Sequence, residues 1–525
     1  MILRVRKFHF QFRHYATHAS RPQDDVFIIK VDSPRSVRLK LKRPKMLAIK
    51  DNISTSNGIT TTCASSLLTN YQSPFEAEVL TKFCSNGEFE IMGKSKMDEF
   101  GMGSNSTHSI WGPVRRKAAK LRDFSPGGSS GGSAVAVADN HCELGIGTDT
   151  GGSVRLPAAY TGIIGFKPSY GLISRWGVVP YANSLDTIGF LSRSVGDSEE
   201  AFKLCINHDS RDPTSLTAEK RKKLSLHSNE TYTISNLPVE EDLKPFPCWL
   251  QQVTLGYPLE YNITEIDPEI RRVWKLTLKL FRAVGVKIVP ISLPMTKFAL
   301  PAYYILAPAE AASNLAKYDG IRYGIPSNDS RESEIVLYST TRGIKLGPEV
   351  RRRILLGSYT LCSEKINNYY IQAQKVRRLI QRDFDRVFKL QNPLRDYEQF
   401  DISQLHHNIP VLSRVGPETV DFILSPTAPA YPPLLSEVFS ARSVDTYMND
   451  VFTVPSSLAG LPSLTIPVKL SDEFDFAVGM QLIGQYGTDF QLLRLGRQFE
   501  LLVQHARKVF QSEKRNNNKK LPSDL

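Results

Sequence analysis

A chain of 525 residues, 41% of them hydrophobic, is long enough to enclose one large core or two ordinary ones. Its formal charge of +13 sits at the ends: residues 1–50 hold 13 Lys/Arg against three Asp, residues 507–525 hold six against two acids, and the body between them carries a net charge of −1. A nearly neutral body gives no compositional support to a phosphate-tracking face, and a local patch created by folding is the one form of direct RNA contact left open.

The first 23 residues contain Arg4, Arg6, Lys7, Arg13 and Arg21, no acid, and interspersed Phe, Leu and Val. This is the pattern of an organelle transit peptide, and no unbroken apolar core of a secretory signal accompanies it. Arg13-His14-Tyr15-Ala16 is similar to a matrix-protease cleavage site; a disordered basic terminus is the bland alternative. The apolar run Met46-Leu47-Ala48-Ile49 predicts a buried strand that delivers Lys50 at its tip. Ser73-Pro74-Phe75-Glu76 has capping-box form and predicts a helix from Pro74 through Val79, Leu80 and Phe83, followed by a strand over 89–93.

Further along, Pro126 to Ser133 and Asp149 to Arg155 are glycine-rich turns around an alanine/valine run that reads as helix and an apolar run from Leu144 to Gly147. Between about 208 and 247 the composition turns to Lys, Glu, Ser, Thr and Asn, as in a surface insertion or a linker between subdomains. Asp267-Pro268 opens a helix that Gly285 ends, and 286–291 is the next strand. This alternation indicates an α/β architecture. No stretch of about 18 uncharged apolar residues occurs, which leaves no candidate membrane span. The six cysteines form no C-x-x-C pair, the ten histidines form no H-E-x-x-H or H-x-H cluster, and the one adjacent pair, His406-His407, lies in a polar stretch. No metal site is expected.

Gly-Gly-Ser sequences end at Ser129 and at Ser153, in the first and second glycine-rich turns. Glycine at this density lets backbone approach a ligand and frees amide N–H groups to form an anion nest, which a developing oxyanion requires. Flexible linkers and phosphate loops share the composition, but the segment lacks a Walker lysine and is embedded between apolar runs. Its combination with Lys50 at a strand end turns the reading towards catalysis rather than towards a surface salt-bridge lysine.

The motifs Ala48-Ile49-Lys50-Asp51-Asn52, Gly127 to Ser133 and Asp149 to Ser153 resemble the amidase signature family, densely over 46–205 and more loosely over 260–505. The resemblance implies a mixed central β-sheet covered by helices on both faces. It also implies Ser153 as nucleophile, Ser129 as a bridging serine preceded by a cis peptide bond, Lys50 as base, and an oxyanion hole from the N–H groups of Thr150, Gly151, Gly152 and Ser153. A narrower resemblance, to the A-type chains of glutamyl-tRNA(Gln) amidotransferases, is carried by Thr61 to Ser65, Lys96 to Gly103, Ser313 to Gly324 and Glu349 to Gly357. It implies glutamine as substrate, held by Tyr303, Arg353 and Asp450. An α-carboxylate calls for a guanidinium and an α-ammonium for a carboxylate.

The same resemblance implies work in the mitochondrial matrix beside a B-type subunit that binds tRNA and ATP, with or without a further small subunit, and with a direct tRNA contact of this chain minor or absent. No cofactor is expected on this chain; ATP and Mg²⁺ belong to the partner. The domain reading is a transit peptide over 1–25, a single amidase domain over 26–510 with a polar insertion near 208–247, and a basic tail over 511–525. Relatives carry a longer helical region before the lysine strand, whereas 49 residues precede Lys50 here. The alternatives are a free-standing serine amidase acting on small or fatty-acyl amides, and a catalytically silent scaffold.

Overall fold

Short apolar runs become the strands of one sheet, and the polar-faced segments between them become the helices that cover it. The computed structural model describes residues 25–31, 44–56, 58–85, 87–117, 123–231, 246–326, 339–395, 419–442, 445–469 and 476–518. The proposed cleavage segment, His406-His407 and residues 232–245 of the polar stretch lie outside the described residues. In chain order the first part comprises β1 (Phe27–Lys30), β2 (Lys45–Lys50), α1 (Glu78–Cys84), β3 (Phe89–Ser95), β4 (Arg116–Lys117), β5 (Asp123–Phe124), α2 (Gly131–Ala138), β6 (Leu144–Asp149), α3 (Arg155–Thr161), β7 (Ile164–Lys167) and β8 (Thr187–Ser192). There follow α4 (Val195–Cys205), α5 (Ala218–Thr231), β9 (Thr254–Pro258), α6 (Pro268–Ala283), β10 (Lys287–Ile291), α7 (Ala299–Asn314), α8 (Ser339–Lys345), α9 (Pro348–Leu361) and α10 (Tyr370–Val387). The last part is β11 (Phe422–Pro426), α11 (Leu435–Ser440), α12 (Val454–Ala459), β12 (Ser463–Val468), β13 (Val478–Gly484) and α13 (Asp489–Asn518).

Among the described residues, eleven strands join in the order β1-β3-β2-β6-β8-β7-β12-β13-β11-β9-β10. β2 runs parallel to both β3 and β6, β9 runs parallel to β10 and β11, and the strands from β6 through β8, β7, β12 and β13 to β11 alternate in direction. Central strands β6, β8 and β13 are buried along their whole length, as continuous apolar runs require when helices cover both faces. This is the mixed α/β architecture expected from the sequence.

The helix over 268–283 forms as its signals dictate: the Asp267 carboxylate accepts the Glu269 N–H at 2.8 Å, Pro268 takes the first position, and Gly285 turns the chain at φ +94° into β10. One expectation differs from the structure. The helix expected from Pro74 begins at Glu78 instead, because the Ala77 N–H is taken by the Ser54 carbonyl at 2.9 Å and the Ser73 hydroxyl bonds Phe75, whose ring stacks on Trp176. Tertiary pairing wins over the local capping signal. α13 runs to Asn518 and takes in the start of the basic tail segment; it is anchored by Leu492, Leu493, Phe499 and Leu502 in the core, and elongation from an anchored stem adds one hydrogen bond per residue. The polar stretch starts as part of the body: Asp209 accepts the Ser174 hydroxyl at 2.7 Å and Asp212 accepts the Arg175 N–H at 2.7 Å.

Candidate active site

β2 and β6 are parallel neighbours, with Ala48 opposite Gly145 and Ile49 opposite Ile146, so Lys50 and Thr148 arrive together at their carboxyl ends. The Lys50 side chain is fully buried, and its Nζ lies 2.7 Å from Ser129 Oγ, 2.9 Å from Thr148 Oγ1 and 3.1 Å from the Thr148 carbonyl. Burial strips water from the ammonium and lowers its pKa from the ordinary lysine range to about 7, although Asp98, Asp149, Asp186 and Cys63 act in the opposite sense. A substantial fraction of Lys50 is therefore neutral near pH 7, the condition for a lysine base.

Ser129 lies in the turn that leads into α2, and the Gly128-Ser129 peptide bond is cis. Ser130 N–H donates to the Ser153 carbonyl at 3.1 Å, which ties the first serine turn to the second. The second turn is packed so closely that a Cβ on Gly151 would lie 2.7 Å from Tyr303 Cζ and one on Gly152 would collide with Thr453. These glycines answer a steric demand. The turn is also clamped from below: Arg155, fully buried, is paired with Asp149 at 2.9 Å and donates to the Thr453 carbonyl, Ser456, Ser457 and Gln481. Thr150 Oγ1 donates to Asp186 at 2.8 Å. Ser153 itself is half-buried.

The other expected residues arrive from distant elements. Tyr303 on α7 covers Gly151. Asp450, in the turn before α12, faces Gly152 with one oxygen and accepts the Ser104 hydroxyl at 2.6 Å with the other. Burial pushes its carboxyl up to about 7, against the Ser104 hydrogen bond. Of the run Arg351-Arg352-Arg353, the first two are exposed and Arg353 is buried inward. Its guanidinium donates to Glu349 at 2.8 Å and to the Tyr181 hydroxyl at 2.7 Å, and the rings of Tyr304, Tyr447 and Tyr181 lie 5.3–5.8 Å away. Tyr181 also bonds Tyr303, so Arg353 is linked to the second serine turn through two tyrosines.

The structure thus gathers Lys50, Ser129 and the Thr150–Ser153 turn at one place, with Tyr303 and Asp450 against that turn and Arg353 behind it. Sequence reasoning missed Thr148, Asp186, Ser104, Tyr181 and Glu349. It also missed the Asp149–Arg155 pair, whose signal was present: an acid and a base six residues apart, flanking the glycine turn. Among the described residues no group of His, Cys, Asp and Glu could hold a metal ion, and no helix is long and apolar enough to cross a membrane.

The family model described as Amidase matches residues 46–493. The chain is 53% identical over 456 residues to the A-type chain of the mitochondrial glutamyl-tRNA(Gln) amidotransferase of Podospora anserina, covering 85% of this chain and 87% of that one. To the protein of the same description from Neurospora crassa it is 47% identical over 491 residues, covering 86% and 89%. Among solved structures, the A-type chain of the glutamyl-tRNA(Gln) amidotransferase of Thermotoga maritima superposes with a TM-score of 0.66 at 30% identity, covering 92% of this chain and 88% of that chain.

Proposed function

The chain belongs to the amidase signature family, and on that premise we propose that it is the glutaminase subunit of a tRNA-dependent amidotransferase of the mitochondrial matrix. The observation that carries the chemistry is the buried 2.7 Å contact between Lys50 and Ser129, beside a glycine turn that ends on Ser153. Ser153 Oγ attacks the side-chain amide carbon of glutamine as its proton passes to Ser129 and the Ser129 proton passes to Lys50. The N–H groups of Thr150 to Ser153 hold the oxyanion. Lys50 returns its proton by way of Ser129 to the leaving nitrogen, the C–N bond breaks and ammonia departs, and water, giving up a proton through Ser129 to Lys50, then attacks the ester and releases glutamate as Ser153 regains its proton.

Selection of free glutamine falls to the groups around the turn. Asp450 takes the α-ammonium, and Arg353 with Tyr303 takes the α-carboxylate. The relatives are named as one subunit of an amidotransferase, which supports a partnered enzyme. In this reading the ammonia passes to a B-type subunit that binds tRNA, activates Glu-tRNA(Gln) with ATP and Mg²⁺, and yields Gln-tRNA(Gln).

Ser153→Ala removes the nucleophile without touching the glycines and should abolish glutamine-supported amidation, and Lys50→Ala or Ser129→Ala should each cost at least about 10²–10⁴ in rate. Arg353→Ala or Asp450→Ala removes a charge-assisted contact worth about 1.5–3 kcal/mol and should raise the glutamine KM by about 10–150-fold while an uncharged primary amide is little affected. Ammonium salts should restore Gln-tRNA(Gln) formation in all five variants of the assembled complex. Equal loss of glutamine- and ammonia-supported amidation would mean that Arg353 and Asp450 hold the complex together, and wild-type glutamine hydrolysis by Ser153→Ala would end the proposal.

A further inference from the structure

An ammonium at Lys50 has three N–H donors and satisfies all three of its oxygen neighbours, the Ser129 hydroxyl and the Thr148 hydroxyl and carbonyl. A neutral amine has two donors and one lone pair. The carbonyl can only accept, so one N–H is committed to it. The other N–H and the lone pair are divided between the two hydroxyls, and the division fixes the direction of proton flow. With the lone pair towards Ser129, Lys50 is a base for the serine relay. With the lone pair towards Thr148, Thr148 donates to Lys50, Lys50 donates to Ser129, and the relay cannot accept a proton.

What decides is the other partner of the Thr148 hydroxyl. Asn52, on the same turn as Lys50, is 4% exposed, and its main chain is fixed by the Val179 N–H on its carbonyl at 2.9 Å. Its Nδ2 lies 3.1 Å from Thr148 Oγ1, and its Oδ1 is buried with no partner among the described residues. With Nδ2 facing it, Thr148 keeps a proton that it can give to Lys50. Half a turn of the carboxamide presents Oδ1 instead; Thr148 then donates to Asn52, accepts from Lys50, and leaves the lone pair to Ser129.

We propose that Asn52 is the positioning residue that sets the direction of the proton relay, its carboxamide oxygen taking the Thr148 proton whenever Lys50 acts as base. This rests on the Ser153–Ser129–Lys50 reading above. Asp98, Asp149, Asp186 and Cys63, the other titratable groups that act on Lys50, are left unchanged in every variant below.

The test is steady-state glutamine hydrolysis by the assembled enzyme, with kcat and KM followed across the acid limb of the pH profile. Asn52→Leu should lower kcat by roughly 10²-fold at every pH, the scale of general-base help, with KM unchanged. Asn52→Asp offers Thr148 the same acceptor and should keep the alkaline plateau, while its negative charge raises the Lys50 pKa and moves the acid limb up by about one unit. In a Thr148→Val background the lone pair has only Ser129 to meet, so adding Asn52→Leu should cost nothing further. That double variant is apolar on both sides and remains informative if Asn52→Leu alone folds poorly. Wild-type kcat in Asn52→Leu, pH-independent loss in Asn52→Asp, or additive losses in the double variant would each overturn the proposal. Undiminished hydrolysis by Lys50→Ala would instead overturn the triad on which it rests.

Discussion

Lys50 and Asp450 both titrate near 7, one a base lowered by burial and one an acid raised by it, yet they leave different kinetic marks. Lys50 works when neutral, so kcat should rise with pH through about 7. In the proposed function Asp450 takes the α-ammonium, which it can do only when ionised, so the glutamine KM should fall as pH rises through about 7. Asp149 opposes that ionisation, and Ser104, Arg353 and Arg155 favour it. Ser104→Ala removes the hydrogen bond at 2.6 Å; the KM limb should therefore move to higher pH while kcat is kept. A pH-independent KM, measured by initial rates on glutamine across neutrality, would show that Asp450 does not meet the substrate's charge. The main candidates at this scale were legible because glycine turns and a strand-end lysine announce themselves locally. Ser104 was not: its partner lies 346 residues away, and a lone serine carries no periodicity that points there.

Elements were legible where their signals are local and uncontested, as at Asp267-Pro268, and misread where a distant segment claims the same amide, as at Ala77 and Ser54. The two kinds of contact predict different mutational costs. Asp267→Ala removes one helix cap and none of the residues named in the site, and should lower stability by about 1 kcal/mol, seen as a small fall in Tm with glutamine turnover intact. Arg155→Met leaves the buried Asp149 without its hydrogen-bonded cation and should cost about 3–5 kcal/mol, with kcat falling as well because the Ser153 turn loses its clamp. Thermal unfolding and turnover measured on the same preparations check both; an Arg155→Met protein with native Tm and kcat would show that the clamp does not hold the turn.

On the scale of the whole molecule, the charge is segregated rather than spread, and the basic, acid-free segment at the start should act as an import signal. Residues 1–30 fused to a fluorescent reporter should enter mitochondria, and Glu at Arg4, Arg6 and Arg13 should stop entry, since a negative segment is driven outward by the membrane potential. Unchanged import of the reversed segment would place targeting elsewhere. At one end of the sheet the strand–helix–strand succession β2-α1-β3 was readable from local signals, and at the other α6 and β10 were, though not β9. The order β8-β7-β12-β13-β11 between them was not, because it is closed by the antiparallel pairing of β7 with β12, Lys167 opposite Ser463, and a pairing so distant in the chain leaves no local trace. Arg155 gives that closure a consequence in time. Four of its hydrogen-bond acceptors, in Thr453, Ser456, Ser457 and Gln481, stand 298 to 326 residues further along the chain. A chain made or threaded from its N-terminus carries its nucleophile long before it carries the groups that lock the nucleophile's turn. If the chain hydrolyses glutamine as proposed, a copy cut short before Thr453 should lack that activity.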